Sequence, residues 1–192
     1  MYTLIFATNN AHKVQEIQSL VGPDFKIIPL KEAGIDIDIP EPHDSFQDNA
    51  SEKARTIFKM TKQNCFSEDT GLEIEALNGA PGVKSARYAG EHRDFQANID
   101  KVLLELKHIE NRNAQFRTVI CLIWENKEYF FEGICTGHIA TEMHGAKGFG
   151  YDPIFIPTGS DKCFAEMTMV EKNSFSHRQK AVTKLFDFLR HK

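Results

Sequence analysis

Phe116-Arg117-Thr118-Val119-Ile120-Cys121-Leu122-Ile123-Trp124, the joint Glu125-Asn126-Lys127, and the run from Glu128 to His138 together decide the fold class of this chain. Both runs are rich in strand formers, and the short polar joint between them suggests an antiparallel hairpin. Upstream the pattern is different, with strands and helices alternating. A hairpin placed after such alternation argues for an α/β protein with a mixed β-sheet, flanking helices and two lobes. No repeat, low-complexity segment or linker divides the chain, so residues 1–192 are expected to form a single domain made of two lobes. A cleft between lobes is a usual place for a small-molecule site.

Composition narrows the partners. With 41% hydrophobic and 26% charged residues the chain has the balance of an ordinary globular protein. Its 23 basic and 27 acidic residues leave a formal charge of -4 and no basic stripe, which disfavours a nucleic-acid polymer. No run approaches the roughly 18 apolar residues that span a bilayer, so no membrane partner is expected. Met1 to Ala7 reads as a strand without a basic region or cleavage site, which points to the cytosol. The four cysteines, Cys65, Cys121, Cys135 and Cys163, are far apart and form no CxxC pair; they read as reduced core residues.

Outward from the hairpin toward the N-terminus, Asp94 can cap a helix carrying Phe95, Ile99, Val102, Leu103 and Leu106 at core spacing. Asn78-Gly79-Ala80-Pro81-Gly82 is a turn cluster, and Arg87 after it suits an anion or a surface carboxylate. Leu72 to Leu77 alternates, so Glu73 and Glu75 are expected to face solvent. Immediately before lies Glu68-Asp69-Thr70-Gly71. Adjacent carboxylates need a cation, a proton or solvent to coexist. Their hard oxygens suit Mg²⁺, which also binds substrate phosphates, although Asp-Thr-Gly is equally ordinary turn chemistry.

Ser45 and Asp48 resemble a capping box, opening a helix whose buried face carries Phe46, Ala50, Ala54, Ile57 and Phe58. Asn49 and Lys53 lie beside that face. Lys53 can lay its stem on the core and expose its head, or reach with Asn49 into a cleft. Before this helix come the stiff loop Pro40-Glu41-Pro42-His43-Asp44, the strictly alternating Ile35-Asp36-Ile37-Asp38-Ile39, and the short strand Phe25 to Pro29. At the start, the strand Tyr2 to Ala7 runs into Thr8-Asn9-Asn10 and a helix with Val14, Ile17, Leu20 and Val21 inward. Lys13 falls in its first turn, where the helix dipole disfavours a cation by about 0.3 to 1 kcal/mol. A bound anion reverses that sign. Helix amides with Thr8, Asn9, Asn10 and Lys13 make a phosphate cradle, or Lys13 is simply solvated.

Toward the C-terminus, Gly145 to Phe155 sets glycines on both sides of Phe149, which permits backbone to approach a flat ligand; a tight turn feeding a strand uses the same letters. The last helix is capped by Ser176 with Gln179 and buries Ala181, Val182, Leu185, Phe186 and Leu189. His177 and Arg178 are again cations in a first turn. Two helix starts of the wrong sign suggest a shared anionic ligand. Arg178 can alternatively donate to an oxygen on a base or bridge to Asp152.

Read in order, Ala7-Thr8-Asn9-Asn10-Ala11-His12-Lys13, Ser45-Phe46-Gln47-Asp48-Asn49-Ala50, Glu68-Asp69-Thr70-Gly71-Leu72, Gly79-Ala80-Pro81-Gly82, Ser85-Ala86-Arg87-Tyr88, Gly148-Phe149-Gly150-Tyr151-Asp152-Pro153 and Ser176-His177-Arg178 span nearly the whole chain. This series resembles the inosine triphosphate pyrophosphatase family, most closely its bacterial XTP/dITP diphosphatase branch. The resemblance implies an elongated mixed α/β fold with a central active-site cleft, usually as a homodimer. It also implies Mg²⁺-dependent hydrolysis of ITP, dITP and XTP to the monophosphate and pyrophosphate. Family roles put Thr8, Asn9, Asn10, Ala11, His12 and Lys13 on the triphosphate, with the catalytic Lys53 close by. Asp69 becomes general base and metal ligand, with Glu41 and Glu68 beside it. Thr70, Phe149, Gly150, Tyr151, Asp152, Lys172, His177 and Arg178 surround the nucleoside. Two departures stand out. Pro40-Glu41-Pro42-His43 replaces the paired glutamates and Thr-Gly often present in the family, and Glu68 and Thr70 replace a commoner aspartate and serine.

On this reading a water at the metal, oriented or deprotonated by Asp69, attacks the α-phosphorus while Lys13 and Lys53 stabilise the leaving group. Hypoxanthine and xanthine offer a carbonyl at position 6, which Arg178 or backbone amides satisfy, whereas adenine offers a donor; buried groups left unpaired support discrimination of order 10⁴. Rejection of guanine needs a separate wall. The rivals are a purine nucleotide sensor that does not hydrolyse, a phosphatase that releases orthophosphate, and a structural interaction protein, which leaves the two misplaced cations unexplained.

Overall fold

The computed structural model describes residues 1–192. In order the elements are β1 (Tyr2–Phe6), α1 (Ala11–Gln18), β2 (Phe25–Pro29), α2 (Phe46–Thr61), β3 (Cys65–Ile74), α3 (Phe95–Glu105), β4 (Asn113–Trp124), β5 (Lys127–Ile139), β6 (Phe155–Pro157), α4 (Met169–Phe175) and α5 (His177–Arg190), with short 3-10 turns between some of them. The strands hydrogen-bond in the order β2-β1-β3-β4-β5-β6. β1 runs parallel to both β2 and β3, while β5 and β6 are antiparallel, so the sheet is mixed as the hairpin implied. The hairpin turn itself is only Glu125 and Asn126, whose φ of 50° and 63° mark the twist-matched two-residue turn, and Lys127 already belongs to β5.

The chain divides into two compact units, and β3, β4 and β5 each pass from one to the other. The first unit comprises Met1–Asp69, Thr118–Gly133 and Arg178–Lys192. Within it β1, β3 and β4 bury successive residues and so both faces, and the strand period of two sorts their side chains. Leu4, Phe6, Phe66, Ile120 and Leu122 join Ile17 of α1 and Ala181, Val182, Leu185 and Leu189 of α5. Ile5, Ala7, Cys65, Cys121 and Ile123 join Ala50, Ala54 and Ile57 of α2. The second unit comprises Thr70–Arg117 and Ile134–His177. There Leu72, Ile74, Ala114 and Phe116 pack with Ile99, Val102 and Leu106 of α3 and with Tyr151, Phe155 and Phe164.

Three expectations are corrected, and one element is new. Ile35–Ile39 belongs to no strand, although its isoleucines pack on the first unit's core and Asp36 and Asp38 face water. Alternation reports which way side chains point, and a ladder needs in addition a neighbouring strand edge. Phe95, expected in the core, is 40% exposed at the first turn of α3. Glu73 is not left to solvent, because Gln115 Nε2 donates to it at 2.7 Å and Arg117 lies 3.7 Å away. Finally, α4 lies outside the helices expected from the sequence and is opened by a capping box between Thr168 and Glu171. All four cysteines are free and buried. No helix is long and apolar enough to cross a membrane.

Candidate active site

Glu68 and Asp69 are neighbours on a strand, so they point to opposite faces: Asp69 faces Lys53, Glu68 meets Arg178 and Lys13, and Lys13 acts on both. Asp69 turns toward α2. Its Oδ2 accepts from Asn49 Nδ2 at 3.1 Å, and its Oδ1 lies 3.7 Å from Lys53 Nζ. Asn49 and Lys53 are one helical turn apart, which puts both on the same side of α2. Lys53 keeps its head inside: Nζ donates to the Glu68 carbonyl at 2.8 Å and to Glu41. Asn49 also ties down the loop that carries Glu41, accepting from His43 N at 2.9 Å and donating to His43 O at 3.0 Å. That is how the stiff Pro40-Glu41-Pro42 segment delivers a carboxylate to Lys53.

Asp69 is 5% exposed, and its carboxyl is pushed above the ordinary value. Burial is the main cause; Lys53 and then Lys13 pull the other way, and Glu41 adds to the rise. Glu68 is the opposite case. It is 1% exposed, yet Arg178 and then Lys13 outweigh the large opposing effect of burial and hold it at about 2. Arg178 Nε donates to both Glu68 oxygens, at 3.0 and 2.9 Å, and Nη2 donates to Oε1 at 2.9 Å. Nη1 donates to Glu16 of α1, and Lys13 Nζ lies 3.2 Å from Glu68 Oε1.

The two cations at helix starts of the wrong sign meet a carboxylate of the chain itself in place of the expected shared ligand: Glu68 pairs with Lys13 in the first turn of α1 and accepts from Arg178 in the first turn of α5. Glu16 went unread as a functional residue. Its signal was its spacing, three residues after Lys13 and hence on the same side of α1. Upstream, Asn10 caps α1, its Oδ1 accepting from His12 N at 3.0 Å and Lys13 N at 3.2 Å. Thr8 Oγ1 accepts from Asn10 N at 3.2 Å, and Asn9 Nδ2 donates to Ile37 O at 2.7 Å. So Thr8 to Lys13 does form one folded turn at a helix start, with two of its amides already turned onto Asn10.

A second cluster lies wholly in the second unit. Asp152 is buried, and its Oδ2 accepts from Phe149 N at 2.9 Å and from Lys172 Nζ at 2.6 Å. Lys172 Nζ also sits 5.4 Å from the Phe149 ring centroid and 5.2 Å from that of Phe164. Gly148 and Gly150 flank Phe149 with φ of 78° and 61°, as the close turn requires. Tyr151 is a core residue instead of an exposed stacking ring: it is buried, and its hydroxyl donates to Ser85 O at 2.8 Å. Ser85 in turn accepts from Leu72 N at 2.9 Å. His177 is buried and stacked on Phe116 at 4.7 Å. Thr70 is half-buried on β3, directly after Asp69.

Gly148→Ala tests the Phe149 turn. The new methyl would overlap the Asp152 carboxylate and would occupy a left-handed conformation, so a stability loss of about 1 to 3 kcal/mol is expected from urea denaturation. A variant as stable as the parent would show that the turn relaxes freely.

A sequence profile of the Ham1 family matches residues 4–188. The dITP/XTP pyrophosphatase of Flavobacterium psychrophilum is 49% identical, covering 97% of this chain and 98% of its own. That of Porphyromonas gingivalis is 50% identical, covering 98% of each chain. The solved structure of a Ham1 protein from Coxiella burnetii superposes with a TM-score of 0.91 at 37% identity over 100% of both chains. The Staphylococcus aureus Ham1 protein superposes with a TM-score of 0.89 at 37% identity over 98% of each. These likenesses run end to end and bear out the resemblance carried by the motifs: the chain belongs to the Ham1 family.

Proposed function

We propose that this chain is a Mg²⁺-dependent nucleoside triphosphate pyrophosphatase that hydrolyses dITP, ITP and XTP to the monophosphate and pyrophosphate. The observation that carries the reading is Asp69: a desolvated carboxylate, raised in basicity by burial, with one oxygen held by Asn49 and the other facing Lys53. Such a group is a better proton acceptor than an ordinary aspartate, as a general base needs to be. The names of the relatives supply the substrate class.

Water is deprotonated as its oxygen bonds to the α-phosphorus, and the bond from that phosphorus to the bridging oxygen breaks, releasing pyrophosphate. The proton goes to the Asp69 carboxylate, which Asn49 holds in place at Oδ2. Lys53 faces the same oxygen and offsets negative charge developing nearby, and Lys13, whose side chain is 15% exposed, does so from the start of α1. Thr8, Asn9, Asn10, Ala11 and His12 supply the remaining polar wall for the triphosphate.

The residues fit a magnesium ion. Glu41 and Asp69 are hard oxygen donors gathered around one ammonium, that of Lys53. Although no three His, Cys, Asp or Glu side chains form a cage, Mg²⁺ is ordinarily held by one or two carboxylates plus waters and substrate phosphates. When bound by Glu41 and Asp69 it would supply positive charge toward the phosphate oxygens. Glu68, with both oxygens on Arg178, is assigned to holding Lys13.

For the nucleoside we propose Thr70, Phe149, Gly150, Asp152, Lys172 and His177, with Tyr151 fixing the turn from the core. Backbone amides are assigned the recognition of the 6-carbonyl, because Arg178 is engaged by Glu68 and Glu16. The enzyme acts as one catalytic domain of residues 1–192, as a homodimer following the family resemblance, and in the cytosol, where its four free thiols stay reduced.

Product analysis tests the reading. With Mg²⁺, pyrophosphate is expected from ITP, dITP and XTP, with ATP slower by a factor of order 10⁴ and no product after chelation. Orthophosphate would move the cleavage to another bond, and tight binding without product would make the chain a sensor.

A further inference from the structure

We infer that Glu16 is a positioning residue for the triphosphate site, acting through Arg178 and Glu68 on Lys13. The inference deepens the proposed function and rests on it for the role of Lys13. Glu16 is 5% exposed on α1, in a unit whose neighbouring side chain Ile17 is core. A carboxylate in that setting needs a partner, and Arg178 Nη1 provides it. The same guanidinium grips Glu68 with Nε and Nη2. Glu16, Arg178, Glu68 and Lys13 thus alternate in sign along one chain of contacts and sum to zero charge.

Three points on a planar guanidinium fix its orientation. Two lie on Glu68. The third, on Glu16, anchors the same guanidinium to α1 and so helps to set where Glu68 Oε1 sits. That oxygen is the one that Lys13 approaches at 3.2 Å. Lys13 occupies a first turn that disfavours its charge, so it depends on this anion for its seat. Glu16 and Lys13 stand on one helix, and the path between them runs through β3 and α5, so it ties the start of α1 to two other elements of the first unit. Positioning at this level matters because a misplacement of about 1 Å in an active site can cost about 10²-fold.

The test separates the two ends of the product pair. Inorganic pyrophosphate carries the phosphates that Lys13 would reach, and inosine monophosphate lacks them. Calorimetric titration of each, with Mg²⁺, is compared for the parent and Glu16→Gln, which keeps the shape and loses the charge. Pyrophosphate affinity is expected to fall roughly tenfold, about the worth of one charge-assisted hydrogen bond, with inosine monophosphate within about twofold of the parent. In a Lys13→Met background the same change should cost nothing further, since the path ends at Lys13. A purely structural glutamate would lower the melting temperature and leave both affinities of the folded chain alone, or weaken both together; either result overturns the inference, as do independent losses from the two substitutions. Should Glu16→Gln fail to fold, Glu16→Asp keeps the charge but draws it back from Arg178, and the same split between the two ligands is required of it. Pyrophosphate release from ITP by the parent is scored separately: its absence sinks the proposed reaction, whereas its presence with unseparated affinities sinks only the role of Glu16.

Discussion

Asp69→Asn is expected to lower pyrophosphate release from ITP by about 10³-fold while leaving the chain folded and as stable as the parent, or more so. Asparagine matches aspartate in shape and can still accept from Asn49, so the geometry at Oδ2 survives. What disappears is the charge at the oxygen facing Lys53, and with it the proton acceptor. The stability half follows from the direction of the titration. Burial raises the Asp69 carboxyl above its unfolded value, so the ionised form is disfavoured in the folded chain, and stability from this group increases as pH falls through the raised value. At neutral pH the charge therefore costs stability, and asparagine removes that cost. Activity runs the other way: kcat/KM should climb as pH rises through the same titration, because the base must be ionised to act. Pyrophosphate assays and thermal melts of the two proteins check both halves. An unchanged rate would remove Asp69 from the chemistry, and a melting temperature lower by several degrees would make it a structural carboxylate.

Much of this site was legible because local rules conflicted with one another. Adjacent carboxylates at Glu68 and Asp69, and cations at Lys13 and Arg178 where helix dipoles repel them, are conflicts that a stable chain resolves somewhere. The sequence suggested an anionic ligand at the two helix starts, whereas the anion that meets them is the Glu68 side chain. Arg178 and Glu68 are 110 residues apart, and only the crossing of α5 with β3 brings them together. Lys53 illustrates the same limit, since both of its readings fit the helix pattern; its choice depends on Asn49 holding His43 and so carrying Glu41 inward. Phe95 kept the helical spacing yet emerged 40% exposed, because the first turn of α3 lies at the rim of the apolar face that Ile99, Val102 and Leu106 bury. Ile35 to Ile39 alternates faithfully but has no strand edge to join. By contrast the Thr168-to-Glu171 box was open to reading, and α4 with its Lys172 follows from it.

Arg178→Met is expected to be the most destabilising single change in the first unit, by about 3 to 5 kcal/mol at pH 7, because it leaves Glu16 and Glu68 buried without their common cation. Its pH dependence distinguishes this cause from lost packing. In the parent, burial opposes ionisation of Glu68, but Arg178 and then Lys13 prevail and lower it from the ordinary 4.5 to about 2. A lowered carboxyl contributes stability that is fully present above the unfolded value and is lost as pH falls from about 4.5 to about 2, in this case on the order of 3 kcal/mol. Without Arg178 only Lys13 opposes the burial of Glu68, so Glu68 should titrate higher than in the parent, and acid costs the variant less stability than it costs the parent. The gap between parent and variant should therefore narrow between pH 7 and pH 4, where parent stability has begun to fall. Glu68→Gln in the Arg178→Met background should recover part of the loss at pH 7, since a neutral side chain of the same shape needs no cation. Urea midpoints for the three proteins across that range decide the matter: a gap that stays constant with pH, or a double variant no better than Arg178→Met, would mean that Arg178 contributes volume and not charge.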